Sequence, residues 1–292
     1  MEAAEPVRRT LEIEEVTNRY LIHPVAGWLV PIFAALRIHP NAVSLAGMAL
    51  GLLAAVAYYH YQDPYAAIAG FILMIAWHVM DGADGQLARL TMKQSATGKV
   101  LDGICDYVTF IAVYSALAIN LARQDGDAIW LLAVAAGLCH AVQSAAYEVQ
   151  RQEYSYWGLG RKSAALQELT APSATAPSSL LQSFLAALNR AYVAVQLRAS
   201  GVTVEFHDRL AQTLPPSLDY EAPARRRYRE IFAPLVRQWS VMSANYRTLG
   251  IFVFAVAGAP DYYFWFEIIG FSAISLLLSR KRRARYELFF RS

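Results

Sequence analysis

Four aspartates stand in two helical pairs. Asp81 and Asp84 are three residues apart, and Asp102 and Asp106 are four apart, so each pair shares a face if its segment is helical. Eight residues separate Arg89 from Gly98, enough for a turn that returns the second helix antiparallel to the first and lets all four carboxylates converge. Bare carboxylates packed together repel one another and resist burial. Divalent cations relieve that cost, and oxygen ligands of this kind suit hard ions such as Mg²⁺ or Mn²⁺. Two such ions side by side clamp a phosphoryl group in transfer, so the expected cofactor is a pair of Mg²⁺ or Mn²⁺ ions. Gly85, Ala88 and Gly98 lie beside the acids and lack the bulk that would keep a helix or a flat ligand away. Arg89 can hold a phosphate in bidentate fashion. The blander reading, four solvated acids at helix ends, leaves the small residues and Arg89 unexplained.

The elements that must position these residues are membrane helices. The chain is 56% hydrophobic and 17% charged, where soluble domains carry about 25% charged residues, and its apolar residues are gathered into long segments. Six spans are predicted near 41–60, 65–90, 95–122, 127–150, 239–258 and 262–280. The second is apolar only from Ala66 to Met80 before Asp81 appears, so it is expected to cross the membrane and continue beyond it. The third begins in the cytosol and becomes apolar from Val108. Ahead of them, residues 10–37 predict a mixed-face helix, with Tyr20, Leu21, Val25, Trp28, Leu29, Ile32 and Phe33 among polar positions and Pro24 and Pro31 as interruptions. Such a helix can lie along the membrane surface. The fold class is therefore all-α and polytopic: six transmembrane helices, an N-terminal surface helix and a cytoplasmic helical insert between the fourth and fifth spans.

Charge sets the expected orientation. Of 26 Lys and Arg residues, only Arg123 falls in the loops 61–64, 123–126 and 259–261. Basic residues collect on the cytoplasmic side, so both termini, the turn near 90–95 and the segment 151–238 are expected there, in the inner membrane if the source is bacterial. The run Arg280-Lys281-Arg282-Arg283 fits the same rule and could also attract anionic headgroups. The expected divisions are 1–40 (arm and surface helix), 41–150 (four spans with the motif), 151–238 (insert), 239–280 (two spans) and 281–292 (basic tail). Within the insert, Ala171 to Ser179 reads as a linker and Leu180 to Leu197 as an amphipathic helix; beyond it, Pro215, Pro216 and Pro223 break the chain into short pieces. No acid/base pattern occurs there, so its expected roles are to lie on the membrane, to cover the site or to pair two subunits. Cys105 and Cys139 suggest neither a disulfide framework nor a zinc site. No signal peptide is expected, and a net charge of +3 gives no reason to expect a nucleic-acid partner.

In order, the residues read D-x2-D-G-x2-A-R-x8-G-x3-D-x3-D. This resembles the signature of the CDP-alcohol phosphotransferase (CDP-alcohol phosphatidyltransferase) family, with every position filled between Asp81 and Asp106, and Pro40-Asn41 resembles the family's usual entry to its first span. The departure is the long stretch from Arg151 to Arg237, which minimal members lack. The resemblance implies that Asp81, Asp84, Asp102 and Asp106 hold the metals, with Asp106 also the general base. It implies that Asp84, Gly85, Ala88, Arg89 and Gly98 line the CDP moiety. The acceptor hydroxyl would lose its proton to Asp106 and attack the β-phosphorus, and CMP would leave. The implied partners are a CDP-linked donor (CDP-diacylglycerol or a CDP-alcohol), a hydroxyl acceptor and membrane lipids, and a homodimer is expected. The same signature serves a lipid donor and a lipid acceptor.

Weaker signals surround the motif. His140, Gln143, Ser144 and Tyr147 form a polar stripe, and Ser243, Asn245 and Arg247 open the fifth predicted span. Polar groups inside a membrane commonly face a cavity, so Arg247, Tyr147 and Gln143 are candidate acceptor contacts; interhelical bonding and snorkelling of Arg247 are the alternatives. His78, Trp77 and the cluster Tyr262, Tyr263, Phe264 and Trp265 read as packing and interfacial anchors. Two other functions fit parts of the pattern. A Mg²⁺-dependent prenyltransferase also uses aspartate-rich motifs on diphosphates but has no use for the Gly85, Ala88, Arg89 and Gly98 frame. A cation transporter would place its acids near mid-membrane on broken helices, whereas these lie at one mouth.

Overall fold

A computed structural model describes residues 10–161, 164, 194–215 and 217–291. The predicted linker Ala171 to Ser179 and nearly all of the amphipathic helix predicted for Leu180 to Leu197 lie outside the described residues; helix is present over 194–200. Among the described residues every regular element is helical. The chain forms two compact units, Met1–Gly137 with Ala244–Phe266, and Leu138–Ser243 with Glu267–Ser292.

In the first unit, α1 covers His23–Ala35, α2 Pro40–Tyr59, α3 Pro64–Leu90 and α4 Ala96–Asp125. Their starts are written locally. His39 Nδ1 accepts the Asn41 N–H at 3.2 Å and Asp63 Oδ1 accepts the Tyr65 N–H at 2.9 Å, each ahead of a proline in the first helical turn, where the missing N–H costs nothing. Ser95 caps α4 by accepting the Gly98 N–H at 2.9 Å. Residues 91–95 therefore make the turn that reverses the chain, with Met92 at φ 55°. α2 packs on α3 and α4, and small residues set the separation. A Cβ at Gly51 would lie 2.5 Å from Thr109, and one at Gly47 would lie 3.1 Å from Met80 Cβ.

The arm differs from its expectation. Helix runs from residue 16 to 35 through a π-helical turn, Asn18–Ile22, and neither proline interrupts it. Pro24 sits in the first turn of α1 and Pro31 inside it, where Ala26 and Val30 are held in a core with Val43, Val79, Ala83 and Leu87. The other face of the arm stays exposed, with Tyr20 72% and Trp28 71% accessible.

Among the described residues, five helices are long and apolar enough to cross a membrane: Pro40–Tyr59, Pro64–Leu90, Thr97–Asp125, Ala128–Gly158 and Pro260–Phe290. The helix expected over 239–258 is divided. α7, Pro223–Trp239, gives way to a 3-10 turn at Ser240–Met242, and α8 is the 13-residue Ala244–Val256, short of the roughly 20 residues a span needs. α8 packs on α3. The remaining elements are α5, Ala128–Glu153, which continues into a π turn Tyr154–Gly158, then α6, Val204–Thr213, α9, Pro260–Trp265, and α10, Phe271–Phe290. Residues 281–290, expected as a tail, are the end of α10. Arg282 and Tyr286, one turn apart, are buried there against Glu153, so the helix is drawn past the basic run.

Candidate active site

The turn at 91–95 joins α3 to α4, and both helices pack on α2. Asp81, Asp102 and Asp106 each offer a carboxylate oxygen, and these atoms all lie within 4.8 Å of one another. Asp84 joins them in a cleft lined also by Ser44, Gly47, Trp77 and Cys105. Asp84 is buried and the other three are half-buried. The cleft thus holds all four sequence-predicted acids. An all-oxygen donor set at this spacing fits hard divalent cations.

Ser44 is a member that sequence reasoning missed. Its hydroxyl donates to Asp84 Oδ2, which turns that carboxylate the way outer-shell partners orient ligands at metal sites. Ser44 lies one turn after Pro40 on α2, with Oγ 3.3 Å from the Pro40 carbonyl oxygen. The signal that could have found it is its place one turn past Pro40-Asn41, at the mouth of the first span. Gly47, one turn further, leaves room over Trp77.

The small residues divide by use. A Cβ at Gly85 would meet Arg89 Nη1 at 3.4 Å, so the guanidinium folds back over that glycine; one at Gly98 would meet Ser95 Oγ at 3.1 Å and Asn41 Oδ1 at 3.4 Å. Gly98 thus allows the start of α4 to approach α2. Ala88 is half-buried on α3. Gly82, at a variable position of the motif, abuts α1: a Cβ there would lie 3.2 Å from Ile22 Cγ2.

The three residues singled out for the acceptor sit in different settings. Arg247, on α8 in the first unit, is fully buried, unlike a residue that snorkels to the interface. Its neighbour Thr248 lies 2.9 Å through Oγ1 from His78 Nε2. Gln143 and Tyr147 belong to the second unit. Gln143 donates to the Glu267 carbonyl oxygen and to Ser272 Oγ, each at 3.1 Å, which is interhelical bonding. Tyr147 has the Arg151 guanidinium 5.9 Å over its ring.

Comparison with known proteins adds one match and one absence. A family model described as CDP-alcohol phosphatidyltransferase matches residues 37–199, more than half of the chain, including the whole stretch from Asp81 to Asp106. No curated protein matches the chain.

Proposed function

Because the chain belongs to the CDP-alcohol phosphatidyltransferase family, we propose that it transfers a phosphatidyl or phospho-alcohol group from a CDP-linked donor to a hydroxyl acceptor, with release of CMP, in phospholipid biosynthesis. The observation that carries this reading is the convergence of Asp81, Asp102 and Asp106 within 4.8 Å, in a cleft that also holds Asp84. These four would hold two Mg²⁺ or Mn²⁺ ions. When bound, such ions neutralise and orient a diphosphate.

The protein's own groups do the rest. Gly85 and Ala88 leave space for the nucleotide, and Arg89 supplies paired N–H donors to a phosphate oxygen. Gly98 keeps the start of α4 close. Asp106, the second of the two motif acids on α4, takes the proton from the acceptor hydroxyl. The acceptor oxygen then bonds to the β-phosphorus, the bond from that phosphorus to the bridging oxygen breaks, and CMP departs with the electron pair. Holding donor and acceptor in line supplies a large share of the rate. Arg247 is proposed to meet the acceptor, and Tyr147 and Gln143 remain proposed contacts beside it. Both termini and the cleft are proposed to be cytoplasmic, a reading that charge asymmetry supports, and a homodimer is the proposed assembly.

The test is CMP release by purified protein in micelles. It is given CDP-diacylglycerol with a panel of polar alcohols, and separately CDP-alcohols with diacylglycerol. One class is expected to yield CMP together with a phosphodiester product. No CMP from either class would overturn the proposal.

A further inference from the structure

The two residues between Asp81 and Asp84 are Gly82 and Ala83, and both meet α1 or the turn before it. A Cβ added at Gly82 would lie 3.2 Å from Ile22 Cγ2, 3.6 Å from His23 Cδ2 and 3.7 Å from Ala26 Cβ. Ala83 is wholly buried in the cluster that joins Ile22, Ala26 and Val30 to Val79 and Leu87. The acid-bearing turn of α3 therefore cannot shift unless α1 shifts with it.

The segment ahead of α1 is fastened at a second point. Asn245, near the start of α8, donates through Nδ2 to Glu15 Oε2 at 2.9 Å and to Asn18 Oδ1 at 2.8 Å. One NH₂ group has two hydrogens, and both are given to the same short segment. Glu15 is buried and its bond to Asn245 is partly so, which limits competition from water and strengthens the bond. His23, at the other end of the segment, pairs with Glu14. Residues 14–23 thus bridge α8 to Gly82. A cluster of mutually repelling carboxylates needs its spacing imposed from outside, because the charges themselves push it apart.

We propose that Asn245 is a positioning residue for the carboxylate site. By fastening Glu15 and Asn18 it seats Ile22, His23 and Ala26 on Gly82, and so holds Asp81 and Asp84 in register with Asp102 and Asp106. The inference rests on the proposed metal site.

The experiment is Mn²⁺ binding to the purified full chain in micelles, read from the paramagnetic resonance signal of free Mn²⁺, with Asp102→Asn as the control that identifies the site. Asn245→Asp sets a carboxylate against Glu15, and about tenfold weaker Mn²⁺ binding is expected, the lower end for disturbed outer-shell partners. Gly82→Val, which pushes on Ile22 from the other end, is expected to move the affinity the same way. Glu15→Gln combined with Asn245→Asp restores an amide-to-carboxylate bond in the reverse sense, and affinity is expected to return close to wild type. A merely structural role predicts lower thermal stability with unchanged Mn²⁺ affinity in the folded protein. Wild-type affinity in folded Asn245→Asp, or no recovery in the double variant, would overturn the inference alone. If Asn245→Asp does not fold, wild-type affinity in Gly82→Val overturns it instead. A wild-type chain that binds no Mn²⁺ would remove the metal site itself, and this inference with it.

Discussion

In the first unit, charges of one sign are gathered, with Asp81, Asp102 and Asp106 sharing a space of 4.8 Å. In the second unit, buried charges are matched. Glu153 Oε2 faces Arg282 Nη2 at 3.3 Å and accepts the Trp157 indole N–H at 2.9 Å, and Arg282 also donates to Gln150 and to the Tyr286 hydroxyl. The buried Arg225 gives its N–H groups to the carbonyl oxygens of Trp157 at 2.8 Å and of Leu218 and Pro215 at 3.1 Å. Arg229 does the same for Gly158 and Tyr220. Charge that is paired or fully hydrogen-bonded internally serves to hold a fold together. Charge left facing its own kind marks a candidate ligand site, because folding alone gives no reason to gather it.

That contrast breaks at the acids first. Asp81→Asn and Asp102→Asn are expected to lose both CDP-donor binding and CMP release, because on the proposed reading the diphosphate is held largely through ions that these residues would ligate. Asp106→Asn is expected to keep most donor affinity while turnover falls by roughly 10²–10⁴-fold, the cost of a missing general base. Donor binding measured beside turnover for the three variants separates the roles. Equal loss in all three would make Asp106 a ligand with no separate part as base and leave the base unassigned.

The second unit should respond in stability rather than chemistry. Glu153→Gln leaves Arg282 buried without its counter-charge, and breaking a buried pair from one side costs about 3–5 kcal/mol. A large drop in the thermal midpoint in micelles is therefore expected. Replacing both partners, Glu153→Gln with Arg282→Met, should recover part of it. A midpoint unchanged in Glu153→Gln would mean that the pair contributes little and that the contrast between the units is overdrawn.

How far these features were legible in the sequence depends on where each signal lies. The two aspartate pairs were readable because both spacings fall within single helices, and the return turn because eight residues can reverse a chain. Ser44 was not, since its partner Asp84 is 40 residues away in the chain and nothing in the spacing links α2 to α3. Gly82 and Ala83 occupied the variable positions of the motif, and only the packing of α1 shows why they are small. Hydropathy placed a span over 239–258, yet it does not register the 3-10 break at Ser240–Met242. The end of α10 was masked by its charge. Arg282 looked like one of four tail cations, although it and Tyr286 stand at the four-residue spacing of one buried helix face.

The smallest effect expected is none. Arg226 and Arg237 are exposed on α7, and the sequence shows no acid/base constellation in 151–238. Arg226→Ala and Arg237→Ala should leave CMP release unchanged in folded, membrane-inserted protein. Abolished turnover in either would carry chemistry into the second unit.

The claim that the gathered carboxylates await divalent ions is tested most directly by chelation. CMP release by the purified protein should vanish when divalent ions are exhaustively removed and return on addition of Mg²⁺ or Mn²⁺. Activity that survives complete chelation would contradict the account.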